Sequence, residues 1–418
     1  MQRYRAALDT VGGCAAAAVA GLALIVPVDA GCETRSSALQ TSLLSITVPR
    51  ATAAGAVVAV LAAVCVAIFG ARAAWGTSAV AALVLATDHL MLTSTSVSLA
   101  TANFVDSLAA GVLLGAAGAA ALTSRPTAVG YLLGALTGIA VGDHLATGDF
   151  GRAPLERAFD NLPPPWLTIP TVCLLIICCL ISDRRTEPHP TTLNLPFAPI
   201  LAAAVVITAV TVVPERLAST TGSVVAIVAC VLVILAATVF AALLLPGRDG
   251  VLTLLAVALA GAASAIAIAA QAHWKLGPML LAIVVGLAAG LLRPAPLAAA
   301  AAIVAMSVFA LLGPTTPQDD SWQTLIGSCA VAAVAGYSFG SVGTRAAASV
   351  VLPLGVLLLP SAVLTLEYHT CTKTLLHKHV VDDPGRNPAW TALALAAGCL
   401  LALLALRHWR PESRDTNA

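Results

Sequence analysis

Fourteen apolar runs of roughly 20 residues, each closed by a charge or by Pro and Gly, succeed one another along the whole chain. They cover about 10–28, 51–71, 76–97, 105–123, 127–146, 166–182, 195–213, 223–245, 251–270, 277–292, 296–313, 323–343, 346–366 and 390–407. About 20 apolar residues is the length an α-helix needs to cross a bilayer, where backbone polar groups must be satisfied within the segment. The chain is therefore expected to be an all-α polytopic membrane protein with about 14 transmembrane helices, and its 418 residues leave no length for a separate soluble catalytic domain. Composition agrees: 10% of residues are charged, against roughly 25% in soluble domains. Basic and acidic residues number 21 and 20, so no concentrated basic surface is available to neutralise phosphates and nucleic acid is not an expected partner. The lipid bilayer is. The opening Met1 to Arg5 before an apolar run resembles a signal peptide without its small-residue cleavage site, and is expected to begin a retained first helix.

An even number of spans puts both termini on one side. Arg72, Arg125, Arg184, Arg185, Arg248, Arg293 and Arg345 lie in short turns on that side, with Arg3 and Arg5 before them and Arg407, Arg410 and Arg414 after, 12 of the 21 basic residues. The long connections opposite mix charges, so both termini are expected to be cytoplasmic. The same arginines expose an internal repeat. Arg72 and Arg125 are 53 residues apart, Arg293 and Arg345 are 52 apart, and the pairs are offset by about 220. That offset also carries the loop 147–165 onto 367–389, and Pro165-Trp166 close to Trp390. Residues 1–185 and 251–418 thus read as two parallel six-helix bundles, with two inserted spans in 186–250.

A six plus two plus six plan with parallel halves resembles the fourteen-helix drug-exporter branch of the major facilitator superfamily. Of that family's motifs, Gly70-Ala71-Arg72 with Gly76 remains of the turn after helix 2, while the helix 4 arginine has no counterpart in Gly111-Val112-Leu113-Leu114-Gly115. Gly130, Gly134, Gly138 and Gly142 resemble the glycine-rich fifth helix of antiporter members, without their Gly-Pro pair. The resemblance implies a plasma-membrane transporter exporting a small amphipathic molecule or lipid, with proton coupling possible and no cofactor. The Ala-rich composition suggests a bacterial membrane.

Glycines spaced by four fall along one helix face and admit a neighbouring backbone closely. That stripe serves either tight packing or a sliding surface against the other half. Ionisable residues at membrane depth are costly and mark function. Asp88 and His89 lie near the middle of the third run, next to Thr87 and a Thr/Ser stretch from Thr93 to Ser98. Adjacent helical residues point about 100° apart, so they face different neighbours. Asp88 is expected to handle protons or substrate, or to hydrogen-bond a nearby hydroxyl. Asp143 and His144 repeat the Asp-His pair near the outer end of the fifth run, and Asp106 lies at the outer end of the fourth. Eight of the ten cysteines sit inside apolar runs and form no metal pattern, whereas Cys32 and Cys371 fall on outer loops where a disulfide is permitted.

Two other classes stay open. Polytopic lipid-linked glycosyltransferases and polysaccharide ligases act through outer loops, and Glu367 to Asp383 gathers His369, His377, His379 and acids, but in no zinc-ligand spacing. The first outer loop, Asp29 to Arg50, lacks the paired acids such enzymes carry, so no catalytic residue is assigned. A non-transporting scaffold that binds another membrane protein is the third.

Overall fold

A computed structural model describes residues 2–25, 38–92, 99–147, 163–182, 197–219, 224–245, 249–266, 276–313, 322–342, 346–359 and 386–409. These residues form fourteen helices. The first six are α1 (Gln2–Ile25), α2 (Ala38–Phe69), α3 (Ala71–Leu92), α4 (Leu99–Ala121), α5 (Arg125–Thr147) and α6 (Pro165–Ile181). Then follow α7 (Phe197–Ser219), α8 (Val224–Leu244), α9 (Asp249–Ile266), α10 (Leu276–Leu292), α11 (Pro296–Leu312), α12 (Trp322–Ser341), α13 (Ala347–Leu357) and α14 (Asn387–Trp409). Among the described residues, nine of these are long and apolar enough to cross a membrane: α1, α2, α4, α5, α7, α8, α9, α12 and α14. α6, α10, α11 and α13 are shorter apolar helices. The protein is an all-α polytopic membrane protein.

Each expected run coincides with a helix among the described residues, and two boundaries move in an instructive way. α2 starts at Ala38 and runs through Pro49, thirteen residues earlier than the apolar run suggests; a proline deprives a helix of one hydrogen bond and bends it without always ending it. α3 begins at Ala71, directly after a one-residue turn at Gly70, whose φ of 84° is open only to glycine without strain. Asp88 is therefore four residues from the end of α3 rather than at its middle.

α1 starts at what we term the near end of the bundle, and successive helices alternate between near and far ends. Arg72, at the start of α3, Arg125, at the start of α5, and Arg293, at the end of α10, all lie at the near end; Arg345 is outside the described residues. So are Cys32 and Cys371, and the segment from Glu367 to Asp383.

The packing partners repeat. Within α1–α6 the pairs in contact include α1 with α4, α5 and α6, α2 with α4, and α3 with α4 and α6. Advancing every helix by eight gives α9 with α12, α13 and α14, α10 with α12, and α11 with α12 and α14, and each of these pairs is also in contact. Between the two sets, α2 touches α13 and α5 touches α10, while α4 touches α13 and α5 touches α12. Under the same shift by eight, each contact is the reciprocal of its companion, as two copies related by a two-fold axis require. α7 lies against α2 and α13, and α8 against α9 and α14.

Candidate functional site

α3 and α4 lie side by side and run in opposite directions, so the last turns of one meet the first turns of the other. Asp88 and Asp106 come close to one another in this way. Asp106 is buried at 4% exposure, with Asn103 one turn earlier on the same face at 3%. Asp88 is half-buried, and its Oδ2 is screened from solvent without a hydrogen-bond partner among the described residues. Two neighbouring carboxylates repel one another when both are charged.

Thr87 donates back to the Leu83 and Val84 carbonyls of its own helix, both at 3.0 Å, and Thr93 to Ser98 lie outside the described residues. His89 belongs to α3, its side chain also outside the description. Asp106 had a legible trace in the sequence: Asn103 and Asp106 put two polar groups three residues apart on one face of an otherwise apolar helix. Asp143 and His144 occupy the last turn of α5, a helix that packs chiefly on α1. They are more enclosed than a helix end open to water: His144 is 2% exposed and Asp143 half-buried.

The glycine stripe of α5 faces α1, in the same set of six helices. A Cβ added at Gly130 would meet Thr10, at Gly134 Cys14, and at Gly138 Ala18, in each case the backbone. These partners are also spaced by four, so two parallel helices touch along matched rows, and from α1 Gly21 reciprocates against Ala135 and Gly138. The stripe is thus taken up by packing inside the first set, and a sliding contact with the other half is not what these three glycines make. Gly142 lies one turn further along α5. The α10–α12 contact is built by the same device, Gly286 and Gly290 meeting Ala333 and Tyr337 while Gly336 and Gly340 meet Ile283 and Leu287.

Among the described residues no cluster of three or more His, Cys, Asp or Glu side chains is arranged to hold a metal ion. What the site offers chemically is a pair of neighbouring carboxyl groups.

No family model and no curated protein matches the chain. Among solved structures it is similar to the xylose transporter XylE from E. coli in an inward-open conformation, at 14% identity and a TM-score of 0.48 over 99% of this chain and 97% of that one. It is also similar to an auto-inhibited POT family peptide transporter, at 14% identity and a TM-score of 0.44 over 98% of each chain. A proton-dependent oligopeptide (POT) family transporter gives 12% and 0.42, over 95% of this chain and 99% of that one.

Proposed function

We propose that the protein is a membrane transporter of the major facilitator type, in which residues 1–185 and 251–418 are two six-helix halves and 186–250 adds two helices. The observation that carries this reading is the reciprocity of the contacts between the halves: α2–α13 with α5–α10, and α4–α13 with α5–α12. An interface made of two equivalent seams on either side of an axis lets one half rock on the other, opening one end as the other closes. In this reading the near end is cytoplasmic, the membrane is a bacterial plasma membrane, and the cargo is a small amphipathic molecule or lipid moved outward. Asp88 and Asp106 exchange the driving proton at the far end.

The test is transport by purified protein in liposomes under an imposed pH gradient, with an internal pH-sensitive dye reporting protons and a panel of amphipathic cations and single-chain lipids offered as cargo. Cargo-dependent proton movement in the wild type, lost in Asp88→Asn at unchanged folded yield, is the expected result. Normal pH-driven transport in that variant removes the pair from the mechanism, and no cargo-dependent flux with any compound refutes the proton-coupled reading. Sidedness is checked separately in a cysteine-free background: Trp390→Cys, exposed at the far end, should react with an impermeant thiol reagent added to intact cells, and Arg125→Cys should not.

A further inference from the structure

The two inserted helices have a leg on each side of the seam, and the two legs are fastened differently. α8 is seated on the second half. A Cβ at Gly250, in the first turn of α9, would collide with the backbone of Ala242, and Gly398 of α14 leaves room for Leu235, whose Cδ1 would lie 2.5 Å from a Cβ placed there. Sliding α8 along these helices would drive side chains into backbone, so α8 is fixed to the second half. α7 instead lies over the line where α2 meets α13, touching a helix of each half, and more of it rests on α2.

Its clearest fixed point is an ion pair at the far end. Arg50 of α2 donates to Glu215 of α7 through both Nη2 to Oε1 at 2.5 Å and Nε to Oε2 at 3.4 Å. This two-pronged geometry holds a guanidinium and a carboxylate in one plane. On the other side of α7, Val210 faces Ile234 of α8, Gly261 of α9, Val356 of α13 and Leu395 of α14 around a small apolar gap.

We infer that the α7–α8 hairpin is a strap across the α2–α13 seam, permanently attached to the second half through α8 and releasably attached to the first through Arg50 and Glu215. It rests on the reading of two rocking halves. With the pair closed, far-end separation of α2 from α13 is restrained; breaking the pair frees α7 to travel with the second half. The side chains are 57% and 35% exposed, so the restraint is a modest, salt-sensitive bias rather than a lock.

The experiment places spin labels at Trp166→Cys and Trp390→Cys, exposed far-end positions at the starts of α6 and α14, in cysteine-free full-length protein in liposomes, and measures the distance distribution. Glu215→Gln, close in shape to the native residue, and Arg50→Ala should each raise the ratio of long to short distances roughly 1.5- to 5-fold, the range for an exposed ion pair. The exchanged variant Arg50→Glu/Glu215→Arg should return the ratio toward wild type. Raising potassium chloride from 50 mM to 1 M on the wild type should move it in the same direction as the single variants, with no substitution to disturb folding. Two distances that neither the variants nor salt re-weights overturn the strap and leave the rocking halves intact. A single distance under every condition overturns both.

Discussion

Replacing Gly138 by alanine tests how closely α1 and α5 are pressed together. The added Cβ would sit 2.5 Å from the Ala18 carbonyl oxygen and 2.9 Å from its Cα, against about 3.4 Å for an ordinary contact. Both obstacles are backbone, so no rotamer change relieves them and the helices must part by about 0.9 Å. A gap of that size forfeits a quarter to a half of the dispersion energy of the atoms it separates, and overpacking of this kind costs about 1–3 kcal/mol. Against it stands about 0.5–1 kcal/mol gained by removing a glycine from a helix interior. The net expectation is a loss of roughly 1–2 kcal/mol. Gly277, near the start of α10, supplies the control, since nothing lies within 4 Å of its Cβ position; Gly277→Ala should be neutral or stabilising by up to about 1 kcal/mol. Unfolding in mixed micelles by increasing SDS fraction, followed by far-ultraviolet circular dichroism, gives both values. Because the stripe packs inside one half, transport per folded Gly138→Ala molecule should stay within about two-fold of wild type. A Gly138→Ala protein as stable as Gly277→Ala would refute the close approach, and a stable protein that no longer transports would restore the sliding surface.

Other consequences are separable. Asp106→Asn should abolish pH-driven transport as completely as Asp88→Asn, and the double variant should be no worse than either single one, because members of a unit are not additive; a variant of Asp106 with wild-type pH dependence would break the pair. Tyr131, fully buried, donates to the Leu114 carbonyl at 2.8 Å, so Tyr131→Phe should cost about 0.5–1.5 kcal/mol in the same unfolding assay, and no loss would mean that bond is absent. Ser349 donates to Asp249 at 2.6 Å between the first turns of α13 and α9; Ser349→Ala should destabilise by about 1–3 kcal/mol by leaving a part-buried acid without its donor, and an unchanged midpoint would show that water takes its place.

The helices themselves were legible because the constraint that makes them is local: a run of apolar residues of bilayer length is either a spanning helix or nothing. Boundaries were less so. The extension of α2 back to Ala38 passes through polar Gln40, Thr41 and Ser42 and through Pro49, none of which periodicity favours. The near-end arginines could be read in sequence because they are spaced by whole helical hairpins, and hairpin length is fixed by bilayer thickness. Partners could not. That Asp88 meets Asp106 depends on α3 and α4 lying antiparallel with their far ends level, and that the Gly130–Gly138 row meets α1 rather than the other half depends on which way α5 is turned. Spacing identifies the face, and only tertiary packing says what covers it.

The one-residue turn at Gly70 bears on how the chain enters the membrane. α3 carries Arg72, Asp88 and His89, and ionisable side chains within a spanning helix are costly to insert. Its predecessor has no such difficulty: the span Val48–Phe69 has a mean hydropathy of 2.6. With only Gly70 between them, the chain has no slack in which α3 can wait in water after α2 has partitioned into lipid. The two are expected to enter as a hairpin, the greasier leg drawing in the more polar one, and Asp88 then reaches the bilayer before α4, which carries Asp106, has been made.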